Sequence, residues 1–358
     1  MLDRNNDGLI DNIYFADLGG QVFRIDFKDG LPAKDSYTDT KITRILASKH
    51  ENSTDKKYAF RFYERPIVSF YRNTRTRVDN KVSGDDKLFA LVNVISGDRS
   101  SPLSKIRNIA NSDRLYGIID KDVTMSNALL HDDTKFTPTI KDLDDSKLLA
   151  YPKDIGTTTT GFTKDQKNKP IQQLKNHTKH GWYYPLTRFD GYTDVNFNKG
   201  VGRLEVIDGY LYASVYNPNM SYGKTDLCSA KVVGGSESQL YCLPYGICLD
   251  DSSKTGTGGY SRTGKGIQEL TLGPRSVDKT NEILLIGNRS LSQLQSDASV
   301  SYGNDDKKKN SPIATKDPLA DKTPSQASKD SLGDGSRAAP LHTQKFKLTP
   351  LSWYEVTK

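Results

Sequence analysis

The chain has 358 residues, of which 35% are hydrophobic, and it carries a formal net charge of +7. The length suffices for one large domain or two smaller ones, and the low apolar share favours many short strands joined by polar loops over a helical bundle. The basic excess is spread along the sequence, and no basic stripe with interleaved aromatic residues indicates a nucleic-acid partner. No apolar stretch approaches the roughly 20 residues of a membrane-spanning helix.

The first motif in the chain is a segment with the ligand spacing of an EF-hand calcium loop, running from Asp3 to Asp11. Calcium prefers six to eight oxygen ligands, and alternate positions of such a loop supply them around a glycine at the sharp turn, here Gly8. The candidate ligands are the side chains of Asp3, Asn5, Asp7 and Asp11 and the backbone carbonyl of Leu9. The sequence therefore predicts a Ca²⁺ site.

This loop departs from a complete EF-hand in two respects. Tyr14 stands where the bidentate glutamate is expected, and the sequence continues as a strand rather than a helix. We therefore expect an affinity on the order of micromolar or weaker. A metal-free turn rich in Asp and Asn is the alternative interpretation.

A β-hairpin is predicted directly after the loop, with strands at 13–17 and 21–27 and a turn at 17–20. Its second strand alternates between two sets of residues, which are Phe23, Ile25 and Phe27 on one side and Val22, Arg24 and Asp26 on the other. This alternation is typical of a sheet with one wetter face. Further strands are predicted at 58–63, 87–95, 114–120, 203–207, 210–216, 239–243, 282–286 and 345–348.

One helix and two polar insertions interrupt the predicted strands. Thr139 and Asp142 form a capping box at the start of the helix, and its apolar side would consist of Ile140, Leu143 and Leu148. Residues 152–170 are predicted to be a polar loop. Residues 301–340 are predicted to be a low-complexity, disordered insertion, because they cannot bury enough apolar surface to fold alone.

The three cysteines lie close together in the sequence. Cys228 and Cys242 each lie seven residues from Gly235 and would face each other if that region closed a hairpin, whereas Cys242 and Cys248 would close a small loop. Both pairings stay open at this point. A cysteine cluster in a loop-rich β chain favours an oxidising compartment.

No catalytic constellation is evident. The sequence has no Gly-x-Ser-x-Gly elbow and no obvious Cys/His pair, and no spacing of Asp and Glu singles out a general acid and base. We therefore expect a protein that is not an enzyme.

Several motifs together resemble the PilC/PilY proteins, the type IV pilus tip-associated proteins whose C-terminal half is a modified β-propeller. Residues 3–26 resemble the calcium loop and strand pair of that family, and residues 95–103 resemble its Gly-x-Arg-x-x-Pro-Leu turn. The strand at 113–120, the Gly181-Trp182-Tyr183 segment, the strand pair ending at 216–218 and the cysteine cluster also fit. The resemblance runs through most of the chain and is broken by the polar insertions.

The resemblance implies an all-β fold, in which residues 1–358 form the later part of one incomplete propeller of antiparallel blades. It implies an exported, calcium-binding, non-enzymatic protein of type IV pilus biogenesis and tip adhesion that modulates pilus extension versus retraction. The expected location is the pilus tip, cell surface or outer membrane. The expected partners are the pilus machinery with its minor pilins and a host or surface receptor. Because the sequence opens directly on the metal loop without a signal peptide, we expect a fragment.

Two alternatives from other functional classes share some of these features. A quinoprotein-dehydrogenase-like propeller enzyme has a similar strand pair, but it would need repeated tryptophan docking motifs, and only Trp182 and Trp353 are present. A generic extracellular calcium-stabilised scaffold is the third possibility.

Overall fold

The structure is a computed structural model that describes residues 1–3, 8–27, 40–48, 59–78, 81–107, 111–124, 138–151, 164–186, 197–207, 209–219, 233–248, 259–274, 282–287 and 339–345. Strands dominate these residues, which confirms the expectation of a mainly β protein. The elements, in chain order, are β1 (Asn12–Ala16), β2 (Gln21–Asp26), β3 (Lys41–Ala47), β4 (Ile67–Arg72), β5 (Thr76–Val78), β6 (Lys81–Ser83), β7 (Leu88–Ile95), β8 (Arg114–Asp120), β9 (Leu149–Ala150), α1 (Lys164–Lys175), β10 (Gly181–Pro185), β11 (Lys199–Gly200), β12 (Glu205–Ile207), β13 (Tyr210–Asn217), β14 (Gly235–Cys242), β15 (Gly259–Lys265), β16 (Leu270–Pro274), β17 (Glu282–Gly287) and β18 (Ala339–Lys345).

The strands form four larger sheets. The first has the order β1-β2-β3, the second β4-β7-β8-β10-β9, the third β11-β13-β14-β15 with β12 beside β13, and the fourth β16-β17-β18. Strands β5 and β6 form a separate hairpin. All pairs are antiparallel except β9 with β10.

The predicted first hairpin is confirmed. Strands β1 and β2 pair in register from Asn12–Asp26 to Ala16–Val22. The carboxylate of Asp17 accepts the backbone N–H groups of Gly19 and Gln21 at 3.0 and 2.8 Å, and so closes the turn. Gly20 completes it with φ of +78°, a conformation that favours glycine.

The second sheet lies between the first and the third, and both of its faces are buried. On β7, Ala90, Val92 and Val94 pack with Tyr14 and Val22 of the first sheet. The alternate residues of β7, including Leu91 and Ile95, pack on the other side with a cluster from the third sheet that contains Leu211, Ala213, Val215 and Tyr241. Successive side chains of a strand point to opposite faces of the sheet. Because both faces are covered here, nearly every residue of β7 is apolar.

The helix predicted after Thr139 is wrong. Asp142 has φ of +48°, and the backbone around it pairs with β3: Asp142 and Leu143 donate N–H bonds to the carbonyls of Arg44 and Ile45, at 2.7 and 3.0 Å. A short 3-10 turn, Asp145–Lys147, follows. The local capping signal is therefore overridden by pairing with a neighbouring strand.

The polar loop predicted at 152–170 is wrong for its last residues, because 164–170 form the first part of α1. Residues 152–163 lie outside the described residues. Helix α1 contains Pro170 and buries only Ile171 and Leu174 as large apolar side chains, a stripe too narrow to stand out in the sequence.

One predicted strand also differs from the structure, because residues 59–63 belong to no strand. Of the strand predicted at 345–348, Lys345 is the last residue of β18, and residues 346–348 lie outside the described residues. The predicted disordered insertion at 301–340 lies outside the described residues except for its last two, which begin β18. In the described part of the chain, no helix is long and apolar enough to cross a membrane.

Candidate metal site

The predicted calcium loop is closed by a backbone bridge between its two ends. Leu2 donates an N–H bond to the carbonyl of Asn12 at 2.8 Å, and the Leu2 carbonyl accepts the N–H groups of Asp11 and Asn12 at 2.8 and 3.2 Å. These three bonds place the residues flanking the loop next to each other. The described residues at the two ends of the predicted loop are therefore held together beside the start of β1.

Asp3 and Gly8 are joined by a hydrogen bond across the predicted loop. The Asp3 carboxylate accepts the N–H of Gly8 at 2.9 Å, and Gly8 has φ of +87°. The glycine lets the chain turn sharply where an L side chain would be strained. Leu9, whose backbone carbonyl is a candidate ligand, follows this turn and is exposed.

Asp11 lies at the other end of the loop and is buried, and its backbone carbonyl accepts the N–H of Phe27 at 2.9 Å. Asn5 and Asp7 lie outside the described residues. Within the described residues, no group of three His, Cys, Asp or Glu side chains is placed to hold a metal ion. The calcium site and its ligand set therefore stay a prediction.

A buried polar network begins directly behind the loop, at the residue after Asp11. The Asn12 amide donates to Asp26 at 2.6 Å, and Asp26 forms an ion pair with the Nε of Arg24 at 2.8 Å. Arg24 and Asp26 lie on the same face of β2. Both are buried, whereas Phe23 and Ile25 on the opposite face are half-buried.

Arg24 carries this network across to the second sheet. Its Nη1 lies 2.8 Å from both carboxylate oxygens of Asp120 on β8, and the Tyr14 hydroxyl donates to the same carboxylate at 2.8 Å. Burial disfavours the charge on Arg24, but the Asp120 and Asp26 carboxylates outweigh it and raise the pKa of the guanidinium. Burial, together with the charge on Asp120, also raises the pKa of Tyr14 well above its usual value.

The network ends at Asp122, whose carboxylate organises the segment that was expected to be a helix. It accepts the backbone N–H groups of Thr139 and Ile140, each at 2.8 Å, and the Thr139 hydroxyl also donates to it. The sequence prediction missed the whole network, since its members are far apart in the chain. The only local signal was the charged pair Arg24 and Asp26 on a strand with apolar neighbours.

The cysteine cluster forms one of the two predicted pairings. Cys242 and Cys248 are joined by a disulfide with a Cα–Cα distance of 5.0 Å. The Cys228–Cys242 alternative is therefore wrong, because Cys242 ends β14 opposite Tyr210 and is already bonded. Cys228 itself lies outside the described residues.

The disulfide closes a loop that caps the aromatic core of the second sheet. The Trp182 indole donates to the carbonyl of Pro244 at 3.0 Å, and the Tyr184 hydroxyl donates to the carbonyl of Gly246 at 3.0 Å. The Leu243–Pro244 peptide bond is cis. These contacts fasten the third sheet to the second.

The turn in the Gly-x-Arg-x-x-Pro-Leu segment is fastened by a lysine from β11. Lys199 is buried, and its ammonium donates to the carbonyls of Ser101, Pro102 and Ser104 at 2.9, 2.9 and 2.6 Å. Burial lowers the pKa of Lys199, and the nearby Asp113 and Asp98 carboxylates oppose that shift. This lysine was not singled out from the sequence, and its role here is structural.

No protein-family model matches the sequence, and no curated protein matches it. Among solved structures, the crystal structure of the Pseudomonas aeruginosa PilY1 C-terminal domain matches over 79% of this chain, with 14% sequence identity and a TM-score of 0.45. The chain spans 57% of the length of that structure.

Proposed function

We propose that this chain is a calcium-binding, non-enzymatic protein of type IV pilus biogenesis and tip adhesion that modulates pilus extension versus retraction. The proposal rests on the resemblance of residues 3–26 and 95–103 to the PilC/PilY proteins. The structural observation that supports it most is the Leu2–Asn12 bridge, which joins the two ends of the metal motif. Within the motif the chain turns at Gly8, which has φ of +87°.

In this proposal the ion is held by the side chains of Asp3, Asn5, Asp7 and Asp11 and the carbonyl of Leu9. A bound calcium ion offsets two of the three negative charges on the loop carboxylates, which otherwise repel one another. The protein's own contribution is to hold the loop ends together and to anchor Asp11 beside a buried network. Formation of the site therefore favours an ordered start of β1.

The network supplies a physical connection between the loop and the second sheet. Asn12, the residue after Asp11, donates a hydrogen bond to Asp26. Asp26 forms an ion pair with Arg24. Arg24 also forms an ion pair with Asp120 on β8. We propose that ordering of the loop stabilises the packing of the first sheet on the second by this route. In an exported protein, calcium-dependent packing would give the ion its proposed regulatory role.

The pilus role is tested by deleting the gene that encodes the chain in its source organism and scoring surface pili and twitching motility. The proposal predicts loss or reduction of both, restored by the wild-type gene and by Asp142→Asn, a control at an exposed carboxylate outside the loop. Complementation with Asp7→Ala should fail or change the balance of extension and retraction. Normal pili and twitching in the deletion strain would contradict the pilus role and leave the calcium-stabilised scaffold as the better proposal.

The non-enzymatic part of the proposal has its own test. Purified protein reconstituted with a quinone cofactor and calcium is expected to show no bound quinone absorption after desalting. Retained absorption would favour the quinoprotein-dehydrogenase-like alternative.

A further inference from the structure

Three segments of the chain meet at His180, the residue before β10. The His180 N–H donates to the carbonyl of Lys147 at 2.9 Å, and the His180 carbonyl accepts the N–H of Ile119 at 2.9 Å. Lys147 belongs to the 3-10 turn, and Ile119 lies in β8, two residues before Lys121. The backbone N–H and carbonyl of His180 are therefore both bonded to segments that carry a lysine.

The lysine charges act on the imidazole of His180, which is half-buried. Burial lowers the pKa of this ring, and the charges of Lys121, His177 and Lys147 lower it further, whereas Asp122 opposes them. Nearby positive charges disfavour the protonated form of a histidine. The surroundings of His180 are therefore electropositive.

Two carboxylates near this cluster already have partners. The Asp122 carboxylate accepts the backbone N–H groups of Thr139 and Ile140, each at 2.8 Å. The Asp85 carboxylate lies 3.2 Å from the Nε2 of His177 and pairs with it. The charge of a protonated His177 is thus compensated locally, which leaves the two lysines as the cations around His180.

The carboxylates of the 3-10 turn are also engaged. Asp144 caps the turn, and Asp145 forms an ion pair with Arg114 at 2.5 Å. Among the residues that the structure describes, no carboxylate lies within ion-pair distance of Lys121 or Lys147. An anion that binds to both lysines therefore breaks no ion pair in this part of the chain.

We propose that Lys121, Lys147 and His180 form a binding site for a doubly charged tetrahedral oxyanion of the sulfate or phosphate class. Each lysine ammonium supplies three N–H donors and a full positive charge, and charge-assisted hydrogen bonds to such oxygens are strong. The imidazole adds a further N–H donor, and it adds a third positive charge when it is protonated. This inference does not depend on the proposed pilus role.

The charge of the site depends on pH through His180. Its pKa lies below the usual value of 6.5, so the ring is neutral near pH 7.5 and gains a proton in more acidic solution. A bound dianion favours the protonated ring. The affinity for sulfate, which keeps both charges over this range, is therefore expected to rise roughly threefold or more between about pH 7.5 and 5.5.

The test is a calorimetric titration of the full chain with sodium sulfate, with sodium chloride of equal ionic strength as the blank. Lys121→Gln and Lys147→Gln are each expected to weaken sulfate binding by about threefold, as the strength of exposed ion pairs implies. Lys105→Gln is the matched control and should bind sulfate as the wild type does. Lys105 is exposed and follows the end of β7, whereas Lys121 lies beside the start of that strand.

His180→Gln tests the pH dependence, because glutamine keeps a side-chain N–H donor but cannot gain a charge. This variant is expected to bind sulfate as the wild type does near pH 7.5 and to gain less affinity on acidification. Circular dichroism checks that each variant is folded, and the comparison of the wild type at the two pH values needs no substitution. The proposal is overturned if sulfate gives no more heat than chloride, if both lysine variants bind as tightly as Lys105→Gln, or if the wild type and His180→Gln respond equally to pH.

Discussion

Arg24 on β2 and Asp120 on β8 form a fully buried ion pair that joins the first sheet to the second. Nη1 of Arg24 lies 2.8 Å from both carboxylate oxygens, and neither side chain reaches solvent. Asp26 neutralises the same guanidinium from its own strand. Because the pair is excluded from water, loss of one partner leaves a buried charge without compensation.

Replacement of Arg24 by methionine is therefore expected to lower the free energy of unfolding by about 3–5 kcal/mol. Urea denaturation followed by circular dichroism measures the change. The matched control is Arg44→Met, since Arg44 pairs with Asp142 at 2.6 Å but both side chains are about half exposed. The control is expected to cost no more than about 1 kcal/mol. Equal losses in the two variants would contradict a special role for the buried pair.

His180 is expected to make the fold sensitive to mild acid. Burial lowers the pKa of its imidazole, with Lys121, His177 and Lys147 adding to the shift and Asp122 opposing it. A lowered pKa means that the folded state favours the neutral ring. The contribution to stability is thus complete above the unfolded value of about 6.5 and is lost as pH falls below it.

The measurement is the midpoint of thermal unfolding for wild type and His180→Gln between about pH 7.5 and 5.5. The wild type is expected to lose more stability on acidification than the variant does. Carboxylates with lowered pKa values, such as Asp85 and Asp98, titrate in more acidic solution and affect both proteins alike. Parallel profiles for the two proteins would show that His180 does not contribute.

The Cys242–Cys248 disulfide is expected to stabilise the loop against which Trp182 and Tyr184 pack. Replacing both cysteines by serine should lower the free energy of unfolding by about 2 kcal/mol, as a short closed loop implies. Cys228→Ser is the control and should leave stability unchanged. Peptide mapping of the oxidised protein should recover Cys242 linked to Cys248, and a Cys228–Cys242 peptide would contradict the assignment.

Gly97 is expected to tolerate no side chain, because the second and third sheets approach closely there. A Cβ at this position would overlap the backbone of Gly200, whose N–H donates to the carbonyl of Ser96 at 2.9 Å. Gly97→Ala should therefore cost about 3 kcal/mol by overpacking. Gly19→Ala, where the nearest atoms belong to the side chains of Gln21 and Asp17, should be tolerated. Denaturant unfolding of both variants measures the change in the free energy of unfolding. A loss in Gly97→Ala no larger than that in Gly19→Ala would contradict a tight contact between Gly97 and Gly200.

The sequence predicted the strands whose signals are local. Alternation and turn residues located the first hairpin, and the apolar runs of β7 and β8 located the central sheet, each to within a residue or two. The alternation of residues along β2 did not indicate which face of the strand is buried. The polar face carries Arg24 and Asp26, and it is buried only because Asp120, almost a hundred residues away, compensates the charge.

The errors have the same origin in tertiary contacts. Thr139 and Asp142 do form the sequence pattern of a capping box. In the structure, however, the backbone N–H groups of Thr139 and Ile140 donate to the Asp122 carboxylate. The residues that follow pair with β3, so no helix forms. Helix α1 was missed because its burial rests on Ile171 and Leu174 within an otherwise polar stretch. For the metal site, spacing predicted the turn at Gly8 and the position of Asp3, whereas the Leu2–Asn12 bridge that closes the loop has no sequence signature.

Calcium binding by the Asp3–Asp11 loop is tested most directly by calorimetric titration of the purified chain. We expect a single site with a dissociation constant on the order of micromolar or weaker, at least tenfold weaker in Asp7→Ala and unchanged in Asp142→Asn. Equal heats for wild type and Asp7→Ala, or no binding heat in either, would contradict the assignment of this loop as a calcium site.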